Sequence, residues 1–209
     1  MKVEYINMET WPRKEHFRHF YKMEYPMFSV SLNLDITSFL PFVKEHRLSF
    51  YYAMGFAATR AANEIPEFRC RIRGGRVVLH DKVHPSFTDL DRDSDLFKCV
   101  GVDLTEDICS FSEKASRASA AQKTFMDPEQ EERDDVLYIT CVPWFSFTQV
   151  THPIALDRDD SIPRIAWGKY FKDGERTLLP FSIQANHALM DGVHAGRYVE
   201  RLQRDLDRY

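Results

Sequence analysis

Apolar and polar residues alternate over residues 26–35, placing Phe28, Val30, Leu32 and Leu34 on one side of an extended chain; this period of two predicts a strand. The period then changes. Residues 50–63 carry Ala and aromatic side chains on most sides, which predicts a largely buried helix with Ser49 as its cap. Thr37 is the corresponding cap for a shorter helix ending at residue 46. Gly74-Gly75 between two short apolar-basic runs predicts a β-hairpin. Short strands are expected near 87–90 and 96–102, a helix over 110–124, and an exposed acidic loop around Pro128 over 126–135. Further strands are predicted at 136–142, 146–150, 164–171 and 177–184, before an amphipathic, charge-rich helix at 193–206. Without an internal repeat or linker, the pattern predicts one α/β domain over residues 1–209, helices covering one face of a large mixed sheet.

Composition narrows the class. Hydrophobic residues at 44% and charged residues at 29% fit an ordinary globular protein of 209 residues, long enough to bury a real core. The sequence contains no apolar run of about 18 residues, the length a membrane span needs. Met1-Lys2-Val3-Glu4-Tyr5 carries an acid and lacks an apolar stretch, unlike a secretory signal. Cys70, Cys99, Cys109 and Cys141 are scattered without Cys-x-x-Cys spacing and read as reduced thiols of a cytoplasmic protein. A net charge of −4 argues against sequence-independent nucleic-acid binding. It leaves room for an anionic cofactor, because local basic patches override net charge.

The segment richest in chemistry is Asn186-His187-Ala188-Leu189-Met190-Asp191-Gly192, where an apolar strand gives way to the last helix. An ordinary imidazole, titrating near 6.5, is mostly unprotonated at neutral pH, so a histidine held at such a junction suits a general base for a hydroxyl or thiol. The same spacing also fits a buried structural histidine with Asp191 capping the helix. A third reading takes His187, Asp191 and His194 as metal ligands, since spacings of four and three share one face of a continuous helix. The Asp-Gly turn and the preceding strand argue against that continuity, and no metal is expected.

Other landmarks recur in a fixed order. Trp11-Pro12-Arg13-Lys14-Glu15-His16-Phe17 stands near the N-terminus, followed by Phe28-Ser29-Val30, Leu34-Asp35-Ile36-Thr37 and Pro85-Ser86-Phe87-Thr88. Pro143-Trp144-Phe145-Ser146-Phe147, Gly168-Lys169-Tyr170, Leu178-Leu179-Pro180 and His187-x-x-x-Asp191-Gly192 complete the series. In this order, over nearly the whole chain, the set resembles the chloramphenicol acetyltransferase family. Dihydrolipoyl acyltransferases share the last motif, but they usually carry lipoyl and subunit-binding domains for which this chain has no room.

The resemblance implies a CoA-dependent acyltransferase fold and a homotrimer with active sites between subunits. It implies acetyl-CoA as co-substrate and a small hydroxyl compound, chloramphenicol or a relative, as acceptor. His187 would be the base, with Arg13 and Asp191 paired to hold its loop. Lys169 and Tyr170 would lie at the cofactor entrance, and the hairpin arginines Arg71, Arg73 and Arg76 are further candidates for the cofactor phosphates. Phe20, with Tyr25, Phe28, Phe97, Phe145 and Phe147, could line an aromatic acceptor pocket or belong to the core. Three departures stand out: Asn186 where the family usually has a first histidine, Gln149 read at an oxyanion-binding serine, and Ala166 at a water-binding threonine. On a strand over 146–150, Ser146 and Thr148 would face away from Gln149, so neither would replace it. These departures predict a changed acceptor, with a non-catalytic CoA-binding protein of the same fold as the alternative.

Overall fold

The computed structural model describes residues 3–91 and 94–209; Met1 and Lys2, read above with the N-terminal stretch, lie outside them. The first half runs β1 (Val3–Tyr5), α1 (Lys14–Phe20), β2 (Met27–Asp35), α2 (Phe39–Glu45) and α3 (Phe50–Asn63). A 3-10 turn (Pro66–Arg69) leads into β3 (Cys70–Arg73), β4 (Arg76–His80), β5 (His84–Leu90) and β6 (Phe97–Gly101). The second half runs α4 (Ile108–Ala121), α5 (Pro128–Glu131), β7 (Val136–Val142), β8 (Arg164–Gly168), β9 (Phe171–Asp173), β10 (Arg176–Asn186) and α6 (Gly192–Leu206).

The large sheet has the order β2-β10-β8-β7-β5-β6, with β9 paired to β10. It is mixed: β8, β7 and β5 are parallel neighbours, and the remaining pairings are antiparallel. The α/β class with a large mixed sheet is therefore as the pattern predicted. Helix α3 lies centrally against it, touching β5, β7, α4 and α6. Gly55 lets α3 approach the sheet, because a Cβ there would run into the Phe87 ring. A three-stranded sheet, β1-β4-β3, forms beside it. Its hairpin turns on Gly74 and Gly75, both at positive φ, which glycine adopts without steric cost.

Two apolar clusters result. The larger joins α3, α6 and the large sheet around Phe39, Phe56, Trp167 and Phe181. The smaller joins α1 to the hairpin through Phe17, Cys70, Ile72 and Val77, and it also takes in Ala188 and Leu189. Met190 belongs to the larger cluster. The turn after His187 is thus gripped from both sides.

Four local expectations change. No strand forms over 146–150; β8 and β10 already have neighbours on both edges, so neither offers it a ladder. Side chains of β10 hold this region instead: Ser182 Oγ donates to Val150 O at 3.4 Å, and the His152 N–H donates to Gln184 Oε1 at 2.7 Å. The predicted strand 164–171 breaks after Gly168 into β8 and β9. Thr37 does not cap α2; its hydroxyl donates to Asp35 Oδ1 at 2.6 Å and accepts the Thr177 N–H at 2.8 Å. The acidic stretch 126–135 is not simply an exposed loop. It contains α5, capped by Asp127, and ends on Asp135, which is buried and paired to Arg133.

Asp134 closes a polar staple beside this stretch, taking Arg73 at 2.7 Å and His80 Nε2 at 3.0 Å. Burial pushes its carboxyl up, but the hydrogen bonds and charge of Arg73, with the His80 ring beside it, outweigh burial and hold it well below the usual range. A carboxylate depressed in the folded state stabilises the fold above its unfolded pKa of about 3.9 and loses that contribution as pH falls toward the folded value. Acid titration of stability should therefore show a decline beginning below about pH 4 that is shallower in Asp134→Asn. Parallel curves for the two proteins in urea melts across that range would refute the staple.

Candidate functional site

The site is built at the end of β10. Asn186 shapes the turn: its Oδ1 accepts the Ala188 N–H at 2.9 Å, and its Nδ2 donates to Asp160 O at 2.9 Å. The His187 N–H donates to Pro26 O at 2.7 Å. The Phe20 ring stacks on the imidazole with centroids 4.0 Å apart and planes 6° from parallel, and Phe28 leans on it at 4.8 Å. Nδ1 of His187 is buried without a hydrogen-bond partner among the described residues. Nε2 is therefore the ring nitrogen left to meet a substrate, on an imidazole fixed by two aromatic neighbours.

Arg13 anchors the backbone that carries this ring. Its Nη2 donates to His187 O at 2.8 Å, its Nε to Ala188 O at 3.2 Å, and its Nη1 to Asp191 Oδ2 at 2.6 Å. The pair is mostly buried, with 10% of the arginine and 28% of the aspartate side chain exposed. Burial pushes the Asp191 carboxyl up, but the hydrogen bond and charge of Arg13, with His194 and His187 nearby, hold it below its ordinary value. Asp191 stands at the N-cap position of α6, and its N–H donates to His194 Nδ1 at 3.1 Å. The helix begins at Gly192, so His187 lies on no common helical face with Asp191 and His194. Among the described residues no group of three or more His, Cys, Asp or Glu side chains is arranged to hold a metal.

A cavity of about 590 Å³ opens over β5, β6, β7 and the loop after β7. Its walls are mainly apolar, including Phe87, Phe97 and Trp144, with the hydroxyls of Thr88 and Thr140 among them. Thr88 Oγ1 donates to Thr140 Oγ1 at 3.1 Å. Cys99 and Cys141 also line it, and burial pushes the Cys141 thiol up to about 12 and raises that of Cys99. Neither supplies a thiolate nucleophile at neutral pH.

The remaining residues singled out from sequence are dispersed. Phe97 lines this cavity, Phe20 and Phe28 flank His187, and Tyr25 is half exposed. Ala166 is fully buried in β8, opposite Thr140 on one side and Ser182 on the other. Gln149 is exposed and lines a separate cavity of about 710 Å³ with Ser31, Asn33, Phe145 and Phe147. Gln149 does not line the cavity over β5, β6 and β7. Lys169 and Tyr170 are exposed just beyond β8, with the Tyr170 ring edge-on to Phe50 at 6.0 Å. The hairpin arginines are engaged within the chain. Arg71 is fully buried and donates to the carbonyls of Phe68, Cys70, Asp134 and Val136, Arg73 pairs with Asp134, and Arg76 lies over the Tyr5 ring at 4.0 Å. Sequence reading missed Thr140 and Thr88; the alternation of β7, which aims every second residue to one side, was the signal available for Thr140.

The mixed sheet of this chain ends at His187, whose turn is braced by the Arg13–Asp191 pair, and comparison with known proteins gives its class: an acyltransferase with the CoA-dependent acyltransferase fold. The model of the chloramphenicol acetyltransferase family matches residues 1–203. The chain belongs to that family. The chloramphenicol acetyltransferase of a Klebsiella species is 30% identical over 212 residues, spanning 98% of this chain and 94% of that protein. That of Bacillus pumilus is 29% identical over 197 residues, covering 93% and 90%. A solved chloramphenicol acetyltransferase superposes with a TM-score of 0.91 at 26% identity, covering 98% of this chain and all of the other. The dihydrolipoamide acetyltransferase of Azotobacter vinelandii shares the fold, with a TM-score of 0.67 at 16% identity over 92% and 85% of the two chains.

Proposed function

We propose that the chain transfers the acetyl group of acetyl-CoA to a hydroxyl of a small-molecule acceptor, with His187 as general base. The observation that carries this reading is the fixed imidazole with Nε2 open and its backbone clamped by Arg13. Nε2 removes the hydroxyl proton as the oxygen attacks the thioester carbonyl; the tetrahedral intermediate collapses, the C–S bond breaks, and the imidazolium proton goes to the departing thiolate. Base catalysis of this kind is worth about 10²- to 10⁴-fold, and holding both substrates together supplies much of the rest. Chloramphenicol, the substrate in the names of the chain's relatives, is the first acceptor to test.

The apolar cavity with its Thr88–Thr140 hydroxyl pair is the acceptor pocket in this reading. Thr140 takes the part of oxyanion donor that sequence alone gave to Gln149, because its hydroxyl faces that pocket and Gln149 lies elsewhere. The cavity and His187 are separate features of one chain, which supports a homotrimer in which each pocket meets a neighbour's histidine. The large sheet ends on β2, whose outer edge is unpaired among the described residues and free to face a neighbour. Lys169 and Tyr170, exposed beside the start of α3, suit the entrance for the CoA phosphates and adenine. The four free thiols suit a reducing cytoplasm.

The test is release of free thiol from acetyl-CoA in the presence of chloramphenicol and a panel of simple alcohols and amines. Binding of CoA without thiol release from any acceptor would favour a non-catalytic protein instead. Thr140→Val, nearly isosteric, should lower kcat roughly 10- to 100-fold, the worth of one hydrogen bond to a developing charge, and leave the acetyl-CoA KM nearly unchanged. An unchanged kcat would remove Thr140 from the oxyanion site.

A further inference from the structure

The acceptor cavity has one polar end that the acetyl-transfer chemistry does not use. His152 lines it, and so does Arg164. The backbone N–H of His152 is held by the Oε1 of Gln184, a fully buried residue of β10 that sits opposite Arg164 in the sheet. His152 Nε2 and Gln184 Nε2 are both buried, and neither has a hydrogen-bond partner among the described residues. Buried polar atoms are nearly always satisfied, so the orphaned ring nitrogen of His152, on the cavity wall, points to a group that arrives from outside.

The charges nearby select that group. Arg164 is matched to Asp160 by two hydrogen bonds, at 3.1 and 2.7 Å, and it also donates to Ile162 O at 3.0 Å. Its positive charge is thus already cancelled. Burial, reinforced by Arg164, depresses the His152 pKa and keeps that ring neutral near pH 7. Asp95, the other ionisable group on the cavity wall besides these, the two thiols and Tyr138, is exposed and acidic. Among the described residues an anion would therefore find no uncompensated cation, and a purely apolar group would leave the imidazole nitrogen desolvated and unpaired. A hydroxyl suits either tautomer of a neutral imidazole, since it both donates and accepts.

We infer that His152 is a specificity-determining residue, and that the preferred acceptor is an alcohol with an apolar, ring-sized body and a second hydroxyl, besides the one acylated, that hydrogen-bonds His152 Nε2. The inference rests on the acceptor pocket assigned above, but it concerns binding and can fail separately from catalysis.

The experiment compares tyrosol with phenethyl alcohol, which lacks only the phenolic hydroxyl. Calorimetric titration of the intact protein should show tyrosol bound about tenfold more tightly or better. His152→Leu should bring the two within about twofold by weakening tyrosol alone, whereas His152→Gln, which keeps a hydrogen-bonding group, should retain part of the preference. Equal binding of the pair by the unaltered protein, no binding of either alcohol, or a preference undiminished in a folded His152→Leu protein would each overturn the inference. Thiol release from acetyl-CoA is read in parallel. A binding preference without thiol release would leave the His152 subsite standing and count against the catalytic reading, while release at equal rates and affinities for both alcohols would do the reverse.

Discussion

Replacing His187 with alanine is expected to leave the fold and CoA binding intact and to remove at least about a hundredfold of the acetyl-transfer rate. The size follows from what is lost: the nitrogen that takes the hydroxyl proton, with no second imidazole at that turn to replace it. Fold retention follows from where the ring sits. Its backbone is fixed independently of the side chain, by Pro26 O on the N–H and by Arg13 on the carbonyl. The same purified protein should therefore melt near the normal temperature and bind CoA with near-normal affinity while thiol release collapses. Turnover within a few fold of the unaltered enzyme would show that another group is the base.

Removing Arg13 should be costly in a different way. Breaking a buried ion pair by deleting one partner costs about 3 to 5 kcal/mol, and the partial exposure of Asp191 puts Arg13→Ala toward the low end of that range. Two backbone carbonyls, of His187 and Ala188, lose their donor as well. Denaturant melts should show the destabilisation, and kcat should fall with it because the imidazole is no longer aimed. Arg13→Lys should not restore either property fully, since one ammonium cannot reproduce three donors in a planar fork. A lysine variant with normal stability and kcat would reduce the role of Arg13 to simple charge neutralisation.

Much of the architecture was legible because local signals and packing agree. Helix α3 occupies residues 50–63 as read, since its all-round apolar surface matches a central position under the sheet. Strand β7 matches the expected 136–142, a branched, apolar run with both edges filled. Local pattern failed where tertiary geometry decides. Residues 146–150 have a strand-like composition, yet β8 and β10, the strands beside them, are already paired on both edges. Arg71 read as a candidate for the cofactor phosphates, but four carbonyls converge on it in a fully buried niche, which no local window could reveal. The site divides in the same way. His187, Arg13 and Asp191 were visible as a spaced motif, and their contact joins residues 178 positions apart, which only the resemblance could anticipate. Alternation along β7 gave a side for Thr140, but His152 sits outside any helix or strand, so its place in the same cavity could not be read along the chain.

The grip on the turn after His187 has a thermodynamic side. Ala188 and Leu189 are packed with α1 and the small hairpin sheet, while Met190 and α6 are packed with the main sheet. The smaller cluster is built from few residues, and regions with little buried contact open at lower free energy than the global fold. A sub-global opening of that unit would free Ala188 and Leu189 and withdraw Phe17 and Phe20 with α1, taking from the imidazole its stacking partner Phe20. On this packing, loosening of the smaller cluster would disturb the surroundings of His187 before it disturbed the ladders of the large sheet.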